Sequence, residues 1–224
     1  MAASTTDTTR RRIPLNRERV VQTAIELADQ GGLGSLSMRK LGQELGVEAM
    51  ALYHHFANKE DLVDAMIDNV FCEVELPSVG PDWATAMRGR AISLREVLGR
   101  HAWAIGLMES RRHPGPAGLR HHDAVIGSLR SAGFELPMAA HAYSVLDSYI
   151  YGFALTKTNL PFETSGEVAE VAHTMLVPFD PAEYPNLVAF IAGHAMQPGY
   201  DYEDEFTYGL DIVLDGLARA RNTP

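Results

Sequence analysis

"SMRKLGQELGVEAMALYHHFANKEDL", residues 37–62, is the stretch whose reading decides the fold. Its large apolar residues fall at Leu41, Leu45, Leu52 and Phe56, with Gly46 between the two pairs. Two short helices joined by a tight turn satisfy that spacing, and an alternating strand does not. Ser37 is placed to cap the first helix, which stops at Gly46, and the second covers roughly residues 48–55. Asn58 caps a third helix, with Asp61 three residues on in a capping-box-like arrangement. Leu41, Leu45, Val47, Leu52 and Phe56 then face inward. Ala49, Met50, Ala51, Tyr53 and His54 face outward, a surface too apolar for a loop and too polar for a core.

Upstream, Val20, Ala24, Leu27 and Ala28 form one helical stripe within residues 16–31, widened by Val21 and Ile25. Asn16 caps its start and Gly31-Gly32 ends it. Three helices with a tight turn between the second and third make a helix-turn-helix unit. In such a unit the outward face of the second helix enters the DNA major groove. Alanine and methionine suit thymine methyls, while Tyr53 and His54 offer hydrogen bonds. Arg39 is within reach of guanine or phosphate, and Lys59 sits at a helix N-terminus where a phosphate also meets backbone N–H groups. The plain alternative is a helical corner packed on the rest of the protein.

Charge distribution adds to the nucleic-acid reading. The 224 residues carry a net charge of −10, which by itself argues against DNA. Residues 1–60 hold eight Lys/Arg against seven acids, and residues 61–224 hold eleven against twenty-two. A near-neutral module with clustered arginines is thus joined to an acidic body. A single cysteine, Cys72, excludes an intramolecular disulfide and a cysteine-based zinc site. No apolar run approaches the ~18 residues of a membrane span, and no apolar segment follows Arg10–Arg12, so the expectation is a cytoplasmic protein.

"LPSVGPDW" (76–83) is the clearest boundary. Beyond it the periodicity predicts helices near 82–99, 102–112, 116–132, 138–158, 164–175, 182–194 and 203–221. The expected organisation is all-α: a flexible N-terminal arm over 1–15, a helix-turn-helix domain over 16–62, a linker helix over 59–75, and a larger helical domain for ligand binding and dimerisation over 76–224. Tyr143, Leu146, Ile150 and Phe153, with Phe206, Leu210, Val213 and Leu217, form stripes of packed helices. They read either as intramolecular core or as a four-helix dimer interface. Gly152, Gly209 and Gly216 favour close helix approach.

The stretch "VVQTAIELADQGGLGSLSMRKLGQELGVEAMALYHHFANKEDLVDAMID" resembles the DNA-binding region of the tetracycline-repressor family of bacterial transcription regulators. The "L..R.LG..LGV", "LY.HF" and "NK..L" features carry the likeness over about fifty residues. "GLDIVLDGL" (209–217) and "AGFELPMAAHAYSVLDSYIYGF" resemble helices of that family's C-terminal domain, more weakly. The resemblance implies a homodimer bound to double-stranded operator DNA and controlled by a small-molecule effector. It places Arg39, Ala49, Met50, Ala51, Tyr53, His54, His55 and Lys59 at DNA-contacting positions. It implies an interface from Leu146, Ile150, Phe153, Phe206, Gly209, Leu210, Val213 and Leu217. It puts an effector pocket among the helices near 82–158, where Leu94, Trp103, Met108, Val125, Ile126, Tyr143 and Asp147 are candidates. This chain departs from the family at the readout positions, so operator sequence does not transfer, and whether the Arg10–Arg12 arm contacts DNA stays open.

Other chemistries have little support. The adjacent pairs His54-His55 and His121-His122 point about 100° apart on a helix, not at one metal. No H-E-x-x-H, G-x-S-x-G, P-loop or dinucleotide fingerprint is present. His141 and Asp147, six residues apart on one helix, do not meet. Met108 falls about where the tetracycline repressor has the histidine that helps bind its magnesium-carrying drug. No cofactor, resident metal or catalytic activity is therefore expected. The expected effector is mostly apolar. Asp147, within "SVLDSYIYGF", needs a ligand cation, a histidine or a backbone donor if buried. The resulting expectation is a repressor released from its operator by a ligand. The alternatives are a ligand-independent regulator or activator of the same fold, or a small-molecule-binding enzyme.

Overall fold

Three of the first four helices begin at a side-chain cap and end where glycine or an extended residue stops them. The computed structural model describes residues 14–80, 82–162, 165–176 and 180–221. The Arg10–Arg12 arm lies outside the described residues. Helix α1 (Arg17–Gly31) starts with the Asn16 side chain accepting from the Arg19 N–H at 2.8 Å and ends at Gly32, φ 70°. Helix α2 (Met38–Leu45) is capped by Ser37 and closed by Gly46 in the left-handed region, φ 69° and ψ 35°. Helix α3 (Ala49–Leu52) is one turn, which tightens through Tyr53 to His55. It is shorter than the expected 48–55. Helix α4 (Lys59–Glu73) starts with Asn58 accepting from the Asp61 N–H at 2.9 Å.

Two glycines set the α2–α3 corner. Gly46 adopts a conformation that costs a residue bearing Cβ about 1 kcal/mol or more. A Cβ on Gly42 would lie 2.9 Å from the Val47 carbonyl and 3.2 Å from the Ala49 nitrogen, so only glycine lets α3 approach this closely.

The second part comprises α5 (Trp83–Arg100), α6 (Pro116–Ser131), α7 (Leu136–Thr158), α8 (Ser165–Leu176), α9 (Pro185–Phe190) and α10 (Tyr202–Arg221). The described residues are all helix, turn and loop, as expected. Two expectations are corrected. Residues 102–112 are not a helix: a 3₁₀ turn at Ala102–Ala104 leads into successive turns. The side chains of His101 and Trp103 both reach back to Asp29 of α1, which holds the chain in a bend there. The expected helix 182–194 begins only at Pro185 and changes to a π-turn at Ile191–Ala195. Proline lacks the N–H of a helix interior and is suited to a first turn.

Buried apolar residues form one continuous cluster from Val20 to Leu217. Helix α4 packs on α1 with one side and on α6 with another, so the reading unit and the larger helical part share a core through it. Helices α5, α6, α7 and α10 pack around the second half of that core. No helix among the described residues is long and apolar enough to cross a membrane.

Candidate nucleic-acid interface and sensor core

The one-turn helix α3 buries only Leu52 and presents the rest outward. Met50 is 72% exposed and Tyr53 45% exposed, high values for large apolar side chains. Ala49 and Ala51 are half-buried, His54 is exposed and His55 half-buried. Arg39 and Lys40, in the first turn of α2, are exposed beside them. The nominated residues thus form one surface around the α2–α3 corner, with two exceptions.

Lys59 is half-buried. Its ammonium donates to the Leu36 carbonyl at 2.6 Å and lies 3.5 Å from that of Leu33. It ties the start of α4 to the segment leading into α2, so its first role is to hold the corner. His55 gives up its backbone carbonyl to Arg17, whose guanidinium donates at 2.7 Å and stacks 4.1 Å above the Phe56 ring. Arg17 was not singled out from sequence. Its signal was local, an arginine immediately following the Asn16 cap.

Behind this surface, polar contacts fasten the reader to the larger helical part. Both ring nitrogens of buried His101 meet carboxylates, Nδ1 at 2.8 Å from Asp29 and Nε2 at 3.1 Å from Glu73. The Trp103 indole donates to Asp29 at 2.7 Å, and Arg100 donates to Glu73 at 2.8 Å. Burial pushes the Glu73 carboxyl up, but the Arg100 hydrogen bond and the His101 contacts outweigh it and the net shift is downward. Arg111 donates to Glu60 at 2.9 Å and Asp64 at 2.5 Å. Asp68 receives the first free N–H groups of α6, from Ala117 at 2.7 Å and Gly118 at 3.0 Å.

In the second half, the nominated effector residues do not line one open pocket. Leu94, Val125 and Met108 are buried core, Ile126 is turned to solvent, and Trp103 faces α1. Tyr143 and Asp147 do meet a polar cluster at the centre. Arg90 of α5 is 1% exposed, yet pairs with Asp147 of α7 at 2.5 Å and donates through Nε to His121 Nε2 of α6 at 3.2 Å. Burial first, then the Arg90 charge, pushes His121 down to about 3, so its ring is neutral near pH 7 and carries its proton on Nδ1. Tyr143 pairs with His122, and Tyr151 donates to Glu109 at 3.0 Å. Burial raises both phenols well above the ordinary tyrosine range. Arg90 and His121 interrupt apolar stripes at core positions, beside Met87, Ala91 and Leu94 in α5 and Ala117 and Val125 in α6. That was the sequence signal for them.

Open grooves lie elsewhere. One of about 650 Å³, between α1, α4 and the start of α6, is lined by Arg17, Asp64, Asp68, Cys72 and His113. Another of about 650 Å³ lies between α5, α7 and α10, with Arg95, Phe153, Lys157, Leu160 and Glu203 on its walls. No group of three or more metal-ligating side chains occurs among the described residues.

Most of the nominated interface residues lie within the chain's own core. Leu146, Ile150, Phe153, Phe206, Leu210 and Leu217 are buried within the single chain, and Val213 is partly buried. Phe206 packs edge-on to Phe153 and stacks on Tyr149. The Tyr149 phenol occupies the space a Cβ on Gly209 would need, so that glycine serves an approach inside the chain. The outward faces of α7 and α10 instead carry Val145, Leu155, Tyr208 and Ile212.

Comparison with known proteins bears on both halves. Residues 20–66 match the family model for bacterial regulatory proteins of the tetR family. Residues 76–221 match the tetracyclin repressor-like C-terminal domain. An HTH-type transcriptional regulator of Saccharopolyspora erythraea is 31% identical over 205 residues, covering 91% of this chain and 85% of that protein. The HTH-type transcriptional repressor DrrR1 of Streptomyces coeruleorubidus is 30% identical over 212 residues, covering 91% and 77%. The crystal structure of the TetR family protein ActR of Streptomyces coelicolor, in complex with actinorhodin, superposes with a TM-score of 0.77 at 31% identity. It covers 94% of this chain and all of that one.

Proposed function

The chain belongs to the tetR family of bacterial regulatory proteins, and from that premise we propose that it acts as a homodimeric repressor released from its operator by a small molecule. That DrrR1 is a repressor and that ActR is found with actinorhodin support this reading. The observation that carries the DNA side is the exposed tip of α3, where Met50 and Tyr53 stand out on a corner held rigid from behind by Gly42, Arg17 and Lys59. Small and apolar residues there favour thymine methyl contacts and DNA shape, with Arg39 and Lys40 positioning on phosphate.

Two copies need their α3 tips about 34–36 Å apart to enter successive major grooves. Subunit contact is assigned to the outward faces of α7 and α10, through Val145, Leu155, Tyr208 and Ile212. A ligand that prefers a different spacing weakens operator binding by its differential affinity. Helix α4, buttoned to the sensor through Arg111, Asp68 and His101, is the connecting lever. Selection from random double-stranded oligonucleotides by the purified chain tests this. A palindromic site with half-sites about one helical turn apart is expected, and enrichment of single unpaired half-sites, or of none, overturns it.

A further inference from the structure

The chain joins the reading unit against both ends of its one-turn helix α3. At the start of that helix, exposed Pro14 and half-buried Leu15 share a groove of about 670 Å³ with Gly46, Val47 and Glu48, which lead into α3. At its end, Arg17 donates to the His55 carbonyl at 2.7 Å and stacks 4.1 Å above the Phe56 ring. Whatever precedes Pro14 therefore leaves the fold beside the exposed tip of α3, where Met50 and Tyr53 stand out.

Arg10, Arg11 and Arg12 precede Pro14 by two to four positions. Without them the reading unit is a poor match to a polyanion: residues 14–60 hold five Lys/Arg against six acids. Of those five, Lys59 is engaged by the Leu36 carbonyl and Arg17 by that of His55. The outward face of α3 adds Ala49, Met50 and Ala51, whose side chains carry no hydrogen-bond donor.

At ~3.4 Å per residue, an extended stretch of four residues covers about 14 Å. With an arginine side chain added, it reaches the minor groove beside the major groove that α3 enters, half a helical turn or about 17 Å along the duplex. That groove is about 6 Å wide, too narrow for a helix and wide enough for an extended chain. Where A·T pairs narrow it, its negative potential attracts arginine. Its floor there presents only acceptors, adenine N3 and thymine O2, whereas guanine adds an amino group that opposes a cation.

We propose that Arg10–Arg12 enter the minor groove next to each α3 half-site, and that the operator carries A·T pairs there. The arm then supplies both the cations and part of the sequence preference that the face of α3 lacks. Arginine arms do this in other major-groove readers. The proposal rests on the reading of α3 as the operator-contacting helix.

The test uses the full-length chain and an operator recovered by selection, with the pairs bordering each half-site made A·T, G·C or inosine·C. An inosine·C pair shows the minor groove of A·T and the major groove of G·C, so it separates the two readouts. Binding is read by fluorescence anisotropy over a range of salt. A·T and inosine·C borders should bind alike and about tenfold tighter than G·C borders, the effect of one or two misread pairs. Arg10→Ala/Arg11→Ala/Arg12→Ala should lose that preference and make the slope of log affinity against log salt shallower by about two to three. Arg10→Lys/Arg11→Lys/Arg12→Lys should keep the slope and lose most of the preference, since the narrow groove favours arginine over the more strongly hydrated lysine. A preference that survives the alanine variant, inosine·C borders that behave as G·C, or a shallower slope without any border preference in the unaltered chain overturns the proposal. An operator bound equally by the unaltered and alanine chains refutes the arm alone. Failure of the unaltered chain to select any operator refutes the reading of α3 beneath it.

Discussion

Asp68 of α4 caps Ala117 at the start of α6, its carboxylate 2.7 Å from the Ala117 nitrogen. A single side chain on the helix leaving the reader thus completes the first turn of a sensor helix. Gly115 is glycine because a Cβ there would run into that carboxylate. Movement of α6 is therefore felt directly by α4. Asp68→Ala should cost about 1 kcal/mol as a lost helix cap. It should also reduce the ratio of operator affinities with and without ligand. Urea unfolding gives the first and a release titration the second; an unaltered ratio would remove Asp68 from the coupling.

Lys59 separates two views of the reader's edge. If its ammonium serves mainly the Leu36 carbonyl, Lys59→Ala lowers stability by about 1 kcal/mol and weakens operator binding at every salt concentration alike. If it serves a phosphate, the slope of log affinity against log salt becomes shallower by about one. The 2.6 Å bond to Leu36 leads us to expect the first.

For the dimer, Ile212→Glu and Leu210→Glu should differ in kind. Ile212 is exposed in the single chain, so glutamate there should yield a folded monomer on light scattering. Leu210 is fully buried against the sensor core, so its replacement places an unpaired charge in that core and should unfold the chain. A dimer that survives Ile212→Glu and Tyr208→Glu together would move the contact to another face.

Histidine burial sets an acid limit. His121 falls from about 6.5 in an ordinary setting to about 3 in the fold. Between those values the unfolded chain binds a proton that the folded one does not, so stability rises with pH. Its contribution is complete above about pH 6.5 and is lost as pH falls toward 3, at no more than about 1.4 kcal/mol per pH unit. His121→Leu should flatten the stability profile across that window by up to one proton's slope; an unchanged profile would show that the ring takes up its proton while folded.

Much of this protein was legible in its sequence because the signals are local. Asn16, Ser37 and Asn58 start helices within three residues of the groups they cap, and Gly46 ends one by its own backbone preference. The apolar period defined the helices, and the corner of α2 and α3 followed from the spacing of Leu41, Leu45 and Leu52. The partner of a buried face was not legible. A stripe such as Leu146, Ile150, Phe153 states that a helix side is covered, and only the packed chain shows that other helices of the same molecule cover it. Asp147 was visible as a carboxylate in need of a partner, but Arg90 lies 57 positions earlier in the sequence and reaches it only because α5 and α7 pack side by side. Likewise Asp29 bends the chain at His101 and Trp103 through contacts across 72 and 74 positions. Caps and periods are decided by neighbours along the chain. Charge pairs, bends and shared cores are decided by which surfaces meet, and that choice belongs to the tertiary fold.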